Sequence, residues 1–154
     1  MAPPAGRETE VVLWFVEQFA LVLAGAGMPR MAARVFAYLL TDEADQCTAG
    51  ELAAGLRMSP GAVSGAVRQL VQDGLVVRDR EPGASADSYR LCDDVWQVMT
   101  ERLDESMKRT EDLLAEGAGV LEAGQHDTTG VREALNFFRF CRAELPAVMQ
   151  RWQE

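Results

Sequence analysis

Residues 48–91 read TAGELAAGLRMSPGAVSGAVRQLVQDGLVVRDREPGASADSYRL, and the order of signals in this stretch decides the fold. Thr48 and Glu51 have the spacing of a capping box, in which the hydroxyl and the carboxylate satisfy free amides at a helix start. A short helix over Ala49–Arg57 follows, with Leu52, Ala53 and Leu56 inward. Met58 turns the chain. Ser59 suits a cap and Pro60 the first position of a second helix, which runs to Asp73 with Val63, Ala66, Val67 and Leu70 inward. Gly74 is suited to a left-handed stop. Beyond it the period drops to two. Leu75, Val77 and Asp79 face one way, Val76, Arg78 and Arg80 the other, and after the turn at residues 82–87 the segment Ser88–Leu91 returns as a hairpin partner.

On the N-terminal side, MAPPAGR (residues 1–7) predicts a frayed end. A helix follows over Thr9–Ala26, apolar nearly all round except for a stripe through Glu10 and Glu17. Such a helix needs cover on more than one side. Residues 11–27 superficially resemble a secretory leader, but Glu17 and Gln18 interrupt the apolar centre, Glu8 and Glu10 spoil the positive start, and the run is too short and polar to span a bilayer. Gly27 ends this helix and Pro29 opens the next, which reaches Leu40 with Met31, Val35, Phe36, Leu39 and Leu40 on one face. TDEADQ (residues 41–46) reads as a loop.

C-terminal to the hairpin, a helix over Asp93–Leu121 carries Trp96, Met99, Leu103, Met107, Thr110, Leu114, Gly117 and Leu121 at spacings of three and four, a coiled-coil-like seam roughly 40 Å long. A last helix over Thr128–Trp152 has its own seam, through Val131, Leu135, Phe138, Leu145, Met149 and Trp152. Pro146 predicts a kink or a split in it.

The fold class expected is mainly α with a small β-hairpin wing: a winged helix-turn-helix flanked by N- and C-terminal dimerisation helices. The divisions are 1–28 (dimerisation helix), 29–92 (winged helix-turn-helix) and 93–154 (dimerisation helices). The 48–74 stretch, with Thr48-Ala-Gly-Glu-Leu-Ala-Ala-Gly-Leu, Ser59-Pro-Gly-Ala-Val-Ser-Gly-Ala-Val-Arg-Gln-Leu and Asp73-Gly-Leu-Val, resembles MarR-type transcriptional regulators. The segment Gly27-Met-Pro-Arg-Met-Ala-Ala-Arg-Val35 is similar to their GbsR-like branch, and the resemblance runs on to Glu144-Leu-Pro-Ala. It implies a homodimer that reads a palindromic operator in double-stranded DNA, often as a repressor released by a small effector. Many such proteins carry an Asp-x-Arg cluster at the wing tip that enters the minor groove. Here the tip is Pro-Gly-Ala-Ser-Ala-Asp-Ser, without a cation, so the wing is expected to meet phosphate.

The residues themselves point the same way. The outward positions of helix 59–73 are Gly61, Ala62, Ser64, Gly65 and Arg68. Small side chains let a backbone approach base edges, Arg68 can fork onto guanine or phosphate, and the helix start with Ser59 suits a phosphate. Arg80 and Arg90 lie at the strand ends as phosphate contacts. Residues 48–92 hold five Arg and five acids, so the whole net charge of −9 lies elsewhere. A globally basic coat is excluded, but a local site is not. A candidate effector pocket would draw on Trp14, Phe15, Met31, Phe36, Trp96, Met99 and Phe138, although each also reads as core. An aromatic cage could hold a quaternary ammonium group.

Other chemistry finds little support. Cys47, Cys92 and Cys141 form no CxxC pair and read as buried, inert thiols in a reducing cytoplasm. His126, the one histidine, reads as an exposed loop residue, and no metal or cofactor is expected. No phosphate loop, nucleophile elbow or paired metal motif marks an enzyme. The near-exclusive use of Arg over Lys and the absence of Ile point to a GC-rich bacterial genome. The rival reading is a winged-helix protein-interaction module without DNA binding, favoured by the acidic total and the bare wing tip.

Overall fold

The computed structural model describes residues 8–41 and 46–154. The expectation of a frayed end at 1–7 and most of the predicted 41–46 loop fall outside the described residues. The described residues form two compact units, the first ending at Val95 and the second spanning Trp96–Glu154.

In the first unit the order is α1 (Glu8–Gly25), α2 (Arg30–Thr41), β1 (Cys47–Thr48), α3 (Ala49–Leu56), α4 (Pro60–Gln72), β2 (Val76–Asp79) and β3 (Ser88–Leu91). The capping box forms as its spacing requires. Thr48 Oγ1 accepts from the Glu51 amide at 3.2 Å, and the Glu51 carboxylate accepts from the Thr48 amide. α3 is stopped not by glycine but by Arg57 in the left-handed region at φ 54°. Ser59 caps α4 by accepting from the Ala62 amide at 3.1 Å, with Pro60 in the first turn. Gly74 takes φ 76°, the conformation a tight exit from α4 needs. The core joins α2, α3 and α4 to the sheet through Val35, Phe36, Leu52, Leu56, Val63, Leu70 and Leu75, all buried.

The hairpin is wider than the sequence suggests. β3 lies between β2 and β1, antiparallel to both, with Arg78 opposite Tyr89 and Cys47 also opposite Tyr89, on the other side. β1 has only two residues, too few to show a period. Arg34 on α2 stitches the unit together. It donates through Nε to Glu17 on α1 at 2.8 Å and through Nη2 to the Leu56 carbonyl at the end of α3, also at 2.8 Å. That carbonyl is one of the acceptors a helix end leaves open.

The second unit is an antiparallel hairpin of α5 (Val95–Ala123, whose first residue belongs to the first unit) and α6 (Thr129–Gln153). α6 runs through Pro146 without a split. Arg142 sits between Asp104 and Glu111 at 2.9 and 2.8 Å, and its guanidinium holds its proton more tightly than usual because both carboxylates accept from it. Nearer the turn, Arg132 pairs with Glu122, whose carboxyl is held below its ordinary range by that contact. Most positions of the predicted seams, Met107, Leu114, Leu121, Leu135, Phe138, Leu145 and Met149 among them, are half-buried or buried. Leu103 and Trp152 stand exposed. No helix among the described residues is long and apolar enough to cross a membrane.

Candidate nucleic-acid interface

α4 turns Val63, Ala66, Val67 and Leu70 into the core, and this inward set fixes which residues face out. Gly61, Ser64, Gly65 and Arg68 are exposed, and Ala62 is half-buried. A Cβ built on Gly61 or Gly65 would meet nothing within 4 Å. The helix therefore has no internal packing reason to be bare there. Gly55 on α3 is the contrast, since a Cβ at that position would run into the Tyr38 phenol. Arg68 reaches back along the helix, its Nη2 lying 3.5 Å from Ser64 Oγ.

The wing arginines are organised by a carboxylate that sequence reasoning passed over. Asp87 Oδ2 accepts from Arg78 Nε at 2.6 Å, and Oδ1 accepts from Arg80 Nε at 2.8 Å. The hydrogen bond from Arg78 holds the Asp87 carboxyl below its ordinary range and raises the affinity of Arg78 for its own proton. Arg90 does not join this group. It pairs across the strand with Val77 rather than Arg78, and its guanidinium reaches Asp93 at 3.1 Å and the Leu91 carbonyl at 3.3 Å. The wing tip, residues 82–86, is exposed.

Between α4 and the wing strands runs a groove of about 380 Å³, flanked by Ser64, Arg68 and Gln72 on the helix and by Arg78 and Tyr89 on the strands. Gln72, Arg78 and Tyr89 were not among the sequence-predicted contacts. Alternation along β2 put Arg78 on the face of Val76 and Arg80, but only the sheet register sets Tyr89 beside it.

The candidate effector residues divide between the units. In the first, Phe36 is fully buried core, Met31 and Trp14 are half-buried, and Phe15 is 40% exposed and stacked on Phe19 with ring centres 5.6 Å apart. The Trp14 indole N–H is buried and has no acceptor among the described residues. In the second, Trp96 is exposed, while Met99 and Phe138 are half-buried. Of the cysteines, Cys47 is buried and Cys92 and Cys141 are half-buried, with burial pushing the Cys92 thiol above its ordinary value.

Comparison with known proteins agrees with this architecture. A MarR family model matches residues 26–85, and a model described as an MmpR5-like MarR family transcriptional regulator matches residues 94–154. The HTH-type transcriptional regulator MmpR5 of Mycobacterium tuberculosis is 27% identical over 116 residues, which are 75% of this chain and 70% of that protein. A crystal structure described as that of a transcriptional regulator superposes with a TM-score of 0.74 at 24% identity, covering 92% of this chain and 97% of the other, a likeness of fold. The helix-turn-helix with the first strand of its wing, and the helical hairpin beyond the wing, thus each match a MarR family model, and the printed descriptions are of transcriptional regulators.

Proposed function

We propose that the protein is a homodimer that places α4 of each copy in the major groove of one half of a palindromic operator, acting as a repressor relieved by a small molecule. The observation that carries the DNA contact is the bare outer face of α4. Each exposed glycine inside a helix costs about 1 kcal/mol against alanine. Gly65, in the interior of α4, recovers none of it among the described residues, whereas a base-pair edge approached by the backbone would reward it, and Gly61 in the first turn leaves the same approach open. In this reading Ser64 and Arg68 read bases, Gly61, Ala62 and Gly65 let the helix come close to base edges, the Ser59 hydroxyl meets a phosphate at the helix start, and Arg80 and Arg90 supply wing cations. Residues 1–28 and 93–154 supply the dimer, and the protein works in the cytoplasm of a bacterium. The GbsR-like branch is assigned on the likeness of residues 27–35, while the model that matches residues 94–154 is MmpR5-like.

Relief by an effector rests on the family likeness and on the Trp14 indole, which lacks an acceptor among the described residues and which a ligand or a partner copy could supply. The rival, a winged helix that binds only protein, is favoured by the acidic total and by a wing tip without a cation. Selection from random duplex DNA separates the two. An inverted repeat is expected, with a log–log salt slope near −5 if about six phosphates are neutralised per dimer. Arg68→Ala should cost about 1–3 kcal/mol per half-site on the selected sequence. Failure to recover any sequence overturns the reading, and equal retention by both proteins removes Arg68 from it.

A further inference from the structure

We propose that the groove between α4 and the wing strands seats a phosphodiester of the DNA backbone, with Arg78 as the cation that receives it and Arg68 on the opposite wall. This rests on the DNA-binding reading and adds a contact that the sequence did not assign. The groove is lined by polar and apolar side chains together, Val67 and Val71 among the latter. Arg68, Gln72 and Ser64 line one side, Arg78 and Tyr89 the other, and no carboxylate of the described residues lines it. A helix seated in a major groove with its wing over the adjacent minor groove has one sugar–phosphate strand passing between them, so an anion is what this cleft would meet.

The donor arithmetic of Arg78 supports the assignment. Asp87 takes Nε and Nη2, through contacts of 2.6 and 2.5 Å. That leaves the Nη1 end with no hydrogen bond among the described residues. The guanidinium is planar and rigid, so pinning one edge aims the other. Asp87 also holds Arg80, so two guanidiniums share one carboxylate, while Asp79 and Glu81 leave the wing neutral overall. Arg78 and Arg90 stand on the strands and not at the tip. In this arrangement Arg78 touches the ligand, and Asp87 is a positioning residue.

Three proteins test the proposal: the wild type, Arg78→Ala and Asp87→Asn, each titrated against a selected operator and an unrelated duplex over a range of salt concentrations. A phosphate contact carries no sequence information. Arg78→Ala should therefore weaken both duplexes by a similar factor, about tenfold or more, and flatten the salt slope by about 2 per dimer, one for each copy. Asp87→Asn breaks the same ion pair but removes a negative charge, so its slope should be at least as steep as that of the wild type. If Arg78 only held the hairpin together, both variants would weaken binding alike, and that result overturns the proposal. So does an Arg78→Ala protein with unchanged affinity and slope, or one weakened on the operator alone. Wild-type protein that binds neither duplex overturns the DNA-binding reading itself, a distinct failure.

Discussion

Gly65 faces solvent in the middle of α4 with open space where a Cβ would stand. Alanine should therefore raise helix stability by about 0.5–1 kcal/mol, because the residue loses backbone freedom it now gives up on folding. The same methyl would stand between the helix and a base edge. Gly65→Ala is thus expected to melt at a higher temperature and to bind operator more weakly, and the two effects are read by thermal unfolding and gel shift on one preparation. A stabilised variant with full affinity would mean that the helix never comes close to DNA. At this scale much of the protein was legible, because caps act over three residues: Thr48 with Glu51, and Ser59 with Pro60, form as their spacing demands. The Asp87 clamp on Arg78 and Arg80 was not legible. It depends on which residues the hairpin sets opposite each other, and an eight-residue connection from Arg80 to Asp87 leaves that register open.

Among the elements, the wing has the clearest electrostatic signature. The hydrogen bond from Arg78, then the charges of Arg78 and Arg80, hold the Asp87 carboxyl below its ordinary value of 3.8, with partial desolvation opposing them. A carboxyl whose folded value is depressed gives stability that is fully present above the unfolded value and lost as pH falls through the folded one. Binding that depends on the wing should thus be untouched by Asp87 between pH 5 and 8. The difference in stability between wild type and Asp87→Asn, read by denaturant unfolding, should hold constant down to about pH 5 and shrink below pH 4. A difference that grew on acidification would remove the ion pair from the hairpin's stability. The helices were legible in type because their periods are long. β1 was not, since two residues cannot show alternation and its pairing is dictated by β3. The α5 and α6 seams were legible as seams, but a period of three and four does not say whether the cover is the neighbouring helix or another copy. Met107, Leu114, Leu135 and Phe138 turn out at least half-covered within the chain.

For the whole molecule, that use of the seams moves the case for a dimer onto different residues. Two antiparallel helices share one line of contact, so apolar side chains off that line have nowhere to go within the hairpin. Leu113 and Val120 on α5, and Phe137 and Phe140 on α6, are each more than half exposed, and so are the seam residues Leu103 and Trp152. Leu21 and Val22 on α1 are exposed as well. Fully burying each such side chain would return about 1.5–3 kcal/mol, enough for a few of them to hold a stable pair. A two-fold pair presents the same patch twice, and its two α4 helices then meet half-sites separated by about one helical turn of DNA or a multiple of it. Sedimentation at micromolar concentration should accordingly report twice the 16.9 kDa chain mass. Phe140→Glu should shift that mass toward the monomer, and operator affinity should fall far more than binding to an isolated half-site, because the second α4 is no longer delivered at high effective concentration. Arg68→Ala, by contrast, should remain a dimer. Wild-type protein that sediments as a monomer while still protecting both halves of a palindrome would break the link between the apolar helices and the symmetry of the site.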